Sequence, residues 1–312
     1  TATNVTYEYG LGFTPDFVFI KSRNITYSGN ITDSTRGTTK QLYTTGTSAD
    51  QTNSTFVTSF DTGGFTVGNN AYVNINGYDF VAWCLKANGG TTSSNTDGTI
   101  TSTVQANTDA GFSIVEYTGD GANGTVGHGL GVAPDIVLVK RLNSTGNWSF
   151  NGSVGGLTYG TNKLVLQTTA AISADTNEVL AATSTTFTAG TSGSVGASGG
   201  DYIAYCFHSV DSFSKIGAYT GNNSTDGPII ETGFEPAFLM VKRTDSADNW
   251  LIFDNKRQLI NPRNLSLVPN SNAAESVGNL GNGFNFLSNG FQVVSSDSGV
   301  NANGGTYFYM AF

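Results

Sequence analysis

The sequence predicts an all-β protein made of three tandem antiparallel β-sandwich or barrel-like modules, each of about 100 residues. Three observations carry that expectation. Charged residues make up 12% of the 312-residue chain, against about 25% in an ordinary globular protein. Gly numbers 40, and Thr, Ser and Asn fill much of the rest, a mixture that forms helices poorly. The third observation is a set of strand-like segments that returns three times in the same order.

The second and third units open on a segment ending in Tyr-Thr-Gly. Phe112 to Gly119 matches Phe213 to Gly221, and the first unit offers only Thr3 to Gly10. A central strand follows: Phe13 to Lys21 returns as Val132 to Lys140 and as Phe234 to Lys242, with Pro15, Pro134 and Pro236 at its start. Proline is tolerated at the first residue of a strand. The continuous apolar run behind it reads as buried on both faces. Next come Gly64 to Val67, Thr186 to Ala189 and Gly290 to Val293. The closing strand is Asp79 to Leu85, then Asp201 to Phe207, then Thr306 to Phe312, the last two preceded by Ala197 to Gly200 and Ala302 to Gly305. Alternation along Phe112 to Tyr117 suits a half-exposed strand. Single helical turns are expected at Asn177–Ala182 and Asn272–Glu275 and nowhere else.

The expected organisation is a β module over residues 1–90, a flexible Gly/Ser/Thr/Asn-rich linker over 91–110, and β modules over 111–210 and 211–312. The short link at 209–212 should hold the second and third modules more firmly than the first and second. Thr1 in place of Met, with strand-like segments at both ends, reads as a piece or processed product of something longer.

Charge and cysteine content exclude several classes. With 14 basic and 23 acidic residues and a pI near 4.5, a nucleic-acid partner is not expected. No apolar run approaches the roughly 18–20 residues that span a bilayer, so membrane insertion is not expected. Cys84 and Cys206 sit in apolar strands and read as buried free thiols. With His128 and His208 they show no zinc-ligand spacing. No cofactor is implied. The string Gly127 to Gly131 enters a strand, not a helix, so it is no dinucleotide fingerprint. The loop Asp120 to Gly124 lacks the regular ligand pattern of a calcium site. Asn-x-Ser/Thr sequons, Asn4, Asn24, Asn30, Asn53, Asn143 and Asn264 among them, follow from composition.

Two residue sets are candidate ligand-binding groups. Lys140, Arg141, Lys242 and Arg243, with Lys21 and Arg23 in the first unit, recur at the end of the central strand. They could form a cationic pocket for acidic sugars, or snorkel towards carboxylates such as Asp79 and Asp201. Trp148 and Trp250 follow an Asn in matching positions after that strand; they could stack on sugars, or serve as a core or inter-module anchor. Asp109, Glu116, Asp120, Asp245, Asp248 and Asp254 show no spacing that singles out a glycosidase pair. No catalytic residue is assigned.

The segments Gly129 to Asp135, Val139 to Arg141, Ser144 to Trp148 and Asn301 to Tyr307 resemble a β-repeat module common in structural proteins of tailed bacteriophages, of the tail-fibre type. The resemblance covers all three units; the first departs most, with Asn30-Ile31 where the others carry Asn-Trp. It implies a non-enzymatic virion surface protein: a tail fibre, appendage or capsid decoration, contacting host-surface glycans. The implied partners are other virion proteins, cell-surface polysaccharide and copies of the same chain in a homo-oligomer, a trimer by analogy. The implied location is the virion surface or another extracellular site. The alternatives are a secreted or cell-surface carbohydrate-binding adhesin and, behind it, a polysaccharide-degrading enzyme with a carboxylate pair in a groove between modules or subunits.

Overall fold

Antiparallel pairing accounts for every named sheet in the computed structural model, which describes residues 5–7 (backbone only), 10–276 and 283–312. Residues 1–4, 8 and 9 of the first opening segment, with the Asn4 sequon, lie outside the described residues. The first block contains β1 (Val5–Tyr7), β2 (Phe17–Ser22), β3 (Asn30–Asp33), β4 (Lys40–Tyr43), β5 (Gln51–Thr52), β6 (Val57–Asp61), β7 (Gly64–Val67) and β8 (Phe80–Leu85). The second contains β9 (Ser93–Asn95), β10 (Ser102–Asn107), β11 (Phe112–Thr118), β12 (Gly124–Gly127), β13 (Ile136–Arg141), β14 (Trp148–Gly152), β15 (Asn162–Val165), β16 (Ser173–Ala174), β17 (Val179–Ala182), β18 (Thr186–Ala189) and β19 (Asp201–Phe207). The third contains β20 (Lys215–Thr220), β21 (Ile229–Glu231), β22 (Phe238–Arg243), β23 (Trp250–Asp254), β24 (Phe284–Leu287), β25 (Gly290–Val293), the single turn α1 (Ser298–Asn301) and β26 (Thr306–Ala311).

Each block pairs a larger sheet with a three-stranded one. The larger sheets run β5-β4-β3-β2-β8, then β16-β15-β14-β13-β19-β11-β10-β9, then β20-β26-β22-β23. The small sheets are β1-β7-β6, β12-β18-β17 and β21-β25-β24. The registers correspond: Phe17 faces Leu85, Ile136 faces Phe207, and Leu239 faces Ala311 one step along.

Period-two alternation sends the two faces of each central strand to different cores. Val18 and Ile20, Val137 and Val139, and Leu239 and Val241 pack inside their own block, against the small sheet. The intervening Phe17 and Phe19, Ile136 and Leu138, and Phe238 and Met240 face a shared core, where the three larger sheets meet. Trp148, Phe150, Trp250, Tyr205 and Phe308 fill that core. A fully buried aromatic or aliphatic side chain contributes about 1.5–3 kcal/mol, so the shared core ties the blocks together as well as filling space.

Three local expectations are corrected. Residues 102–107, expected to be flexible linker, form β10 and pair with β11 from Ser102–Tyr117 to Asn107–Phe112; β9 adds to the same sheet. The polar residues there supply backbone pairing and a solvent face rather than slack. Asn177–Ala182 forms no helical turn, because Val179 to Ala182 is drawn into pairing with β18 around a bulge. Asn272–Glu275 is not helical either, and the helical turn falls at Ser298–Asn301.

Candidate functional site

The central-strand lysines end the strand face that looks into the shared core, and each is fully buried. Their ammonium groups find backbone carbonyls of a different block. Lys140 Nζ donates to Thr47 O at 3.2 Å, Lys242 to Thr169 O at 3.2 Å, and Lys21 to Ser271 O at 2.8 Å. The second block thus reaches the first, the third reaches the second, and the first reaches the third. Backbone bonds repeat the cycle: Asp50 N to Leu142 O at 2.8 Å, Ile172 N to Thr244 O at 2.9 Å, Glu275 N to Arg23 O at 2.6 Å. Burial lowers each lysine pKa to about 8. The lysines therefore do not snorkel to Asp79 or Asp201. They are bolts across three seams.

Trp148 and Trp250 are buried completely, so neither offers a face to a sugar. They occupy the inter-module anchor position. Trp148 Nε1 donates to Tyr43 O across the first seam at 2.9 Å, and Trp250 packs on Phe150 of the second block at a ring distance of 4.8 Å. The preceding asparagines complete a clamp. Gln167 bonds Asn147 and accepts from Trp148 N; Asn270 does the same with Asn249 and Trp250 N. Arg141 and Arg243 lie at the outer ends, on Asn143 and on Asp245. Arg141 also lines a shallow hollow with Thr47, Thr145, Asn147 and Ser194, at the seam of the first two blocks. Of the six candidate residues, the two arginines alone retain access to solvent.

Charge is concentrated inside two seams. Arg36 bridges Asp33 at 2.6 Å and Asp50 at 2.8 Å, and Tyr205 of the second block donates to Asp33 at 2.7 Å. Arg257 bridges Asp254 and Glu275, both at 2.6 Å; Trp83 of the first block donates to Asp254 at 3.2 Å, and Arg23 joins Glu275 at 2.8 Å. Trp83, Tyr205 and Met310 hold one register position, as do Asp33, Gly152 and Asp254. Among the described residues the third seam has no such ion pair at these positions: Met310 replaces the donor, Gly152 the acid, and Phe308 lies against Gly155. Burial works against the Arg36 guanidinium, but Asp33 and its neighbours hold its pKa above the ordinary value. Burial raises Asp50 and, with the Asp33 charge beside it, Glu116.

Sequence reasoning passed over the acid after the central-strand proline. Asp16 accepts from the backbone of Ala87, Gly89 and Gly90 at 2.6–2.8 Å, and Asp135 holds Ser209 N and Oγ at 2.8 Å. Each clasps the connection to the next block. The signal was present: Pro-Asp stands in the two units that lead into another, and Pro-Ala in the last.

A cavity of about 630 Å³ opens beside β8. Its lining includes Phe80, Ala82 and Cys84 of β8, Phe65, Val67 and Val73, and the charged Arg23, Asp79, Lys256 and Arg257. Burial raises the Cys84 pKa to about 12, so its thiol is a weak nucleophile. Among the described residues no cluster of His, Cys, Asp and Glu could hold a metal ion, and no helix is long and apolar enough to cross a membrane.

One family model matches, over residues 1–312, and it is described as a domain of unknown function (DUF7483). No curated protein and no solved structure matches the chain.

Proposed function

We propose that this chain, which belongs to the DUF7483 family along its whole length, is a non-enzymatic structural element of a virion surface, of the tail-fibre, appendage or capsid-decoration type. The observation that carries the reading is the closed cycle of seams. The lysines and tryptophans with the chemistry to bind a ligand are engaged in holding three β blocks around one core. That is the construction of a load-resisting part: antiparallel sheets, a shared aromatic core and few mobile charges.

The threefold arrangement that the resemblance assigns to three chains is approached within one. Further copies and other virion proteins would then join through outer faces. Leu259 and Ile260, each 77% exposed, offer one apolar attachment point. Glycan contact, if it contributes, falls to Arg141 and Arg243 at the rim, where many weak contacts would add through avidity.

The test is immunogold labelling. Antibodies raised against the purified chain should decorate the exterior of gradient-purified phage particles from the source culture. Label confined to the bacterial envelope would support the adhesin instead, and label on neither would overturn both.

A further inference from the structure

The edge of β8 differs from its counterparts. β19 lies between β13 and β11, and β26 between β22 and β20, whereas among the described residues β8 ends its sheet with β2 alone. The consequence is visible in burial. All of β19 beyond Asp201 is buried, and all of β26 beyond Thr306, but every residue of β8 is half-buried. An apolar groove beside an unpaired strand edge is a template for one more strand.

We propose that the free edge of β8 is a strand-acceptor site, filled by an antiparallel β-strand of the β11 and β20 type supplied by polypeptide that lies N-terminal to the small sheet of the first block. The sister blocks define that occupant and its source. β11 precedes β12, and β20 precedes β21, through turns at 119–123 and 221–228. β12 and β21 pair with β18 and β25 as β1 pairs with β7. By that connectivity a strand of this type belongs ahead of β1.

Its side chains are also defined. Tyr117 stacks on Tyr202 at 5.3 Å and donates to Val195 O at 2.7 Å. Tyr219 stacks on Tyr307 at 4.8 Å and donates to Val300 O at 2.8 Å. By register Phe80 stands where Tyr202 and Tyr307 stand. Val73 stands where Val195 and Val300 stand, the same number of residues ahead of the closing strand. Phe80 and Val73 both line the groove. The acceptor thus asks for a tyrosine opposite Phe80. It asks for an aliphatic residue opposite Trp83, where Ile114 and Ile216 lie opposite Tyr205 and Met310. Opposite Val81 the counterparts are Glu116 and Ala218; Lys256 and Arg257 line this groove, so an acid suits it best.

Cys84 faces the groove, and Cys206, its counterpart under β11, is buried; the pair is a built-in reporter. A synthetic peptide copying residues 111–121 is added to the 1–312 chain, and alkylation of both thiols is followed by mass spectrometry. The expected result is that Cys84 labelling slows by about tenfold or more with saturating peptide, that Cys206 labelling is unchanged, and that a scrambled peptide has no effect. A peptide carrying Tyr117→Ala should bind about tenfold more weakly or worse, having lost a buried hydrogen bond and a ring stack. A chain carrying residues 111–121 fused ahead of Thr1 should show the protection with no peptide added. Unchanged Cys84 labelling in both formats would overturn the proposal. So would light scattering that shows the unextended chain closing its own β8 edge in a dimer.

Discussion

At Lys21, Lys140 and Lys242 the chain buries an ammonium group against carbonyls that lie 73 to 250 residues away. A cation whose pKa falls on folding binds fewer protons folded than unfolded. Its contribution to stability therefore rises with pH, from about 8, the folded value, to about 10.5, the unfolded one. Comparing the native chain with Lys140→Met isolates this from thiol and tyrosine titration. The difference in urea stability between them should move in favour of the native chain between pH 7 and pH 10; a difference that stays flat contradicts the assignment. A sharper loss is expected at Arg36, whose side chain is buried with Asp33 and Asp50 as partners. Arg36→Met leaves Asp33 without its cation and Asp50 with Lys40 alone, at 3.5 Å, and should cost about 3–5 kcal/mol in urea unfolding at pH 7, and clearly less at a pH low enough to protonate Asp50, whose pKa burial raises. The recurrence of lysine at the strand end was legible in the sequence. The direction of its side chain was not, because backbone carbonyl acceptors leave no mark in a sequence.

Among elements, the strands with alternating or continuous apolar residues were legible, from Phe17–Ser22 to Thr306–Ala311. Those that were missed are the polar ones. Ser-Thr-Val-Gln-Ala-Asn in β10 carries one large apolar residue, Val104, and resembles a linker by composition; it becomes a strand because β11 offers a full edge to pair with. Hydrogen exchange tests this. Amides of residues 102–107 that face β11 should be protected to a degree comparable with β11 itself, and exchange at the rate of an open coil would rule the pairing out. Val-Leu-Ala-Ala in β17 misleads in the opposite way. Its leucine and alanines favour helix locally, and the β18 edge overrides that preference.

For the whole molecule, the decisive feature is that the three larger sheets each turn one face to a single shared core. Removing one block would expose Phe19, Phe150 or Trp250 and their neighbours to water. The three blocks should therefore melt together. Calorimetry is expected to show one transition for the 1–312 chain, with a calorimetric enthalpy equal to the van't Hoff value; three resolved transitions would mean the shared core contributes little. By itself the sequence determined the all-β class, the order of the strands and the threefold recurrence of their motifs, because period-two burial, glycine turns and repetition are local properties. Only the tertiary structure decided that the recurring tryptophans and lysines are internal, that buried ion pairs sit in two of the seams, and that among the described residues β8 keeps an open edge. Those outcomes depend on which distant segments meet, and no local pattern encodes the partner of a buried carbonyl or the absence of a neighbouring strand.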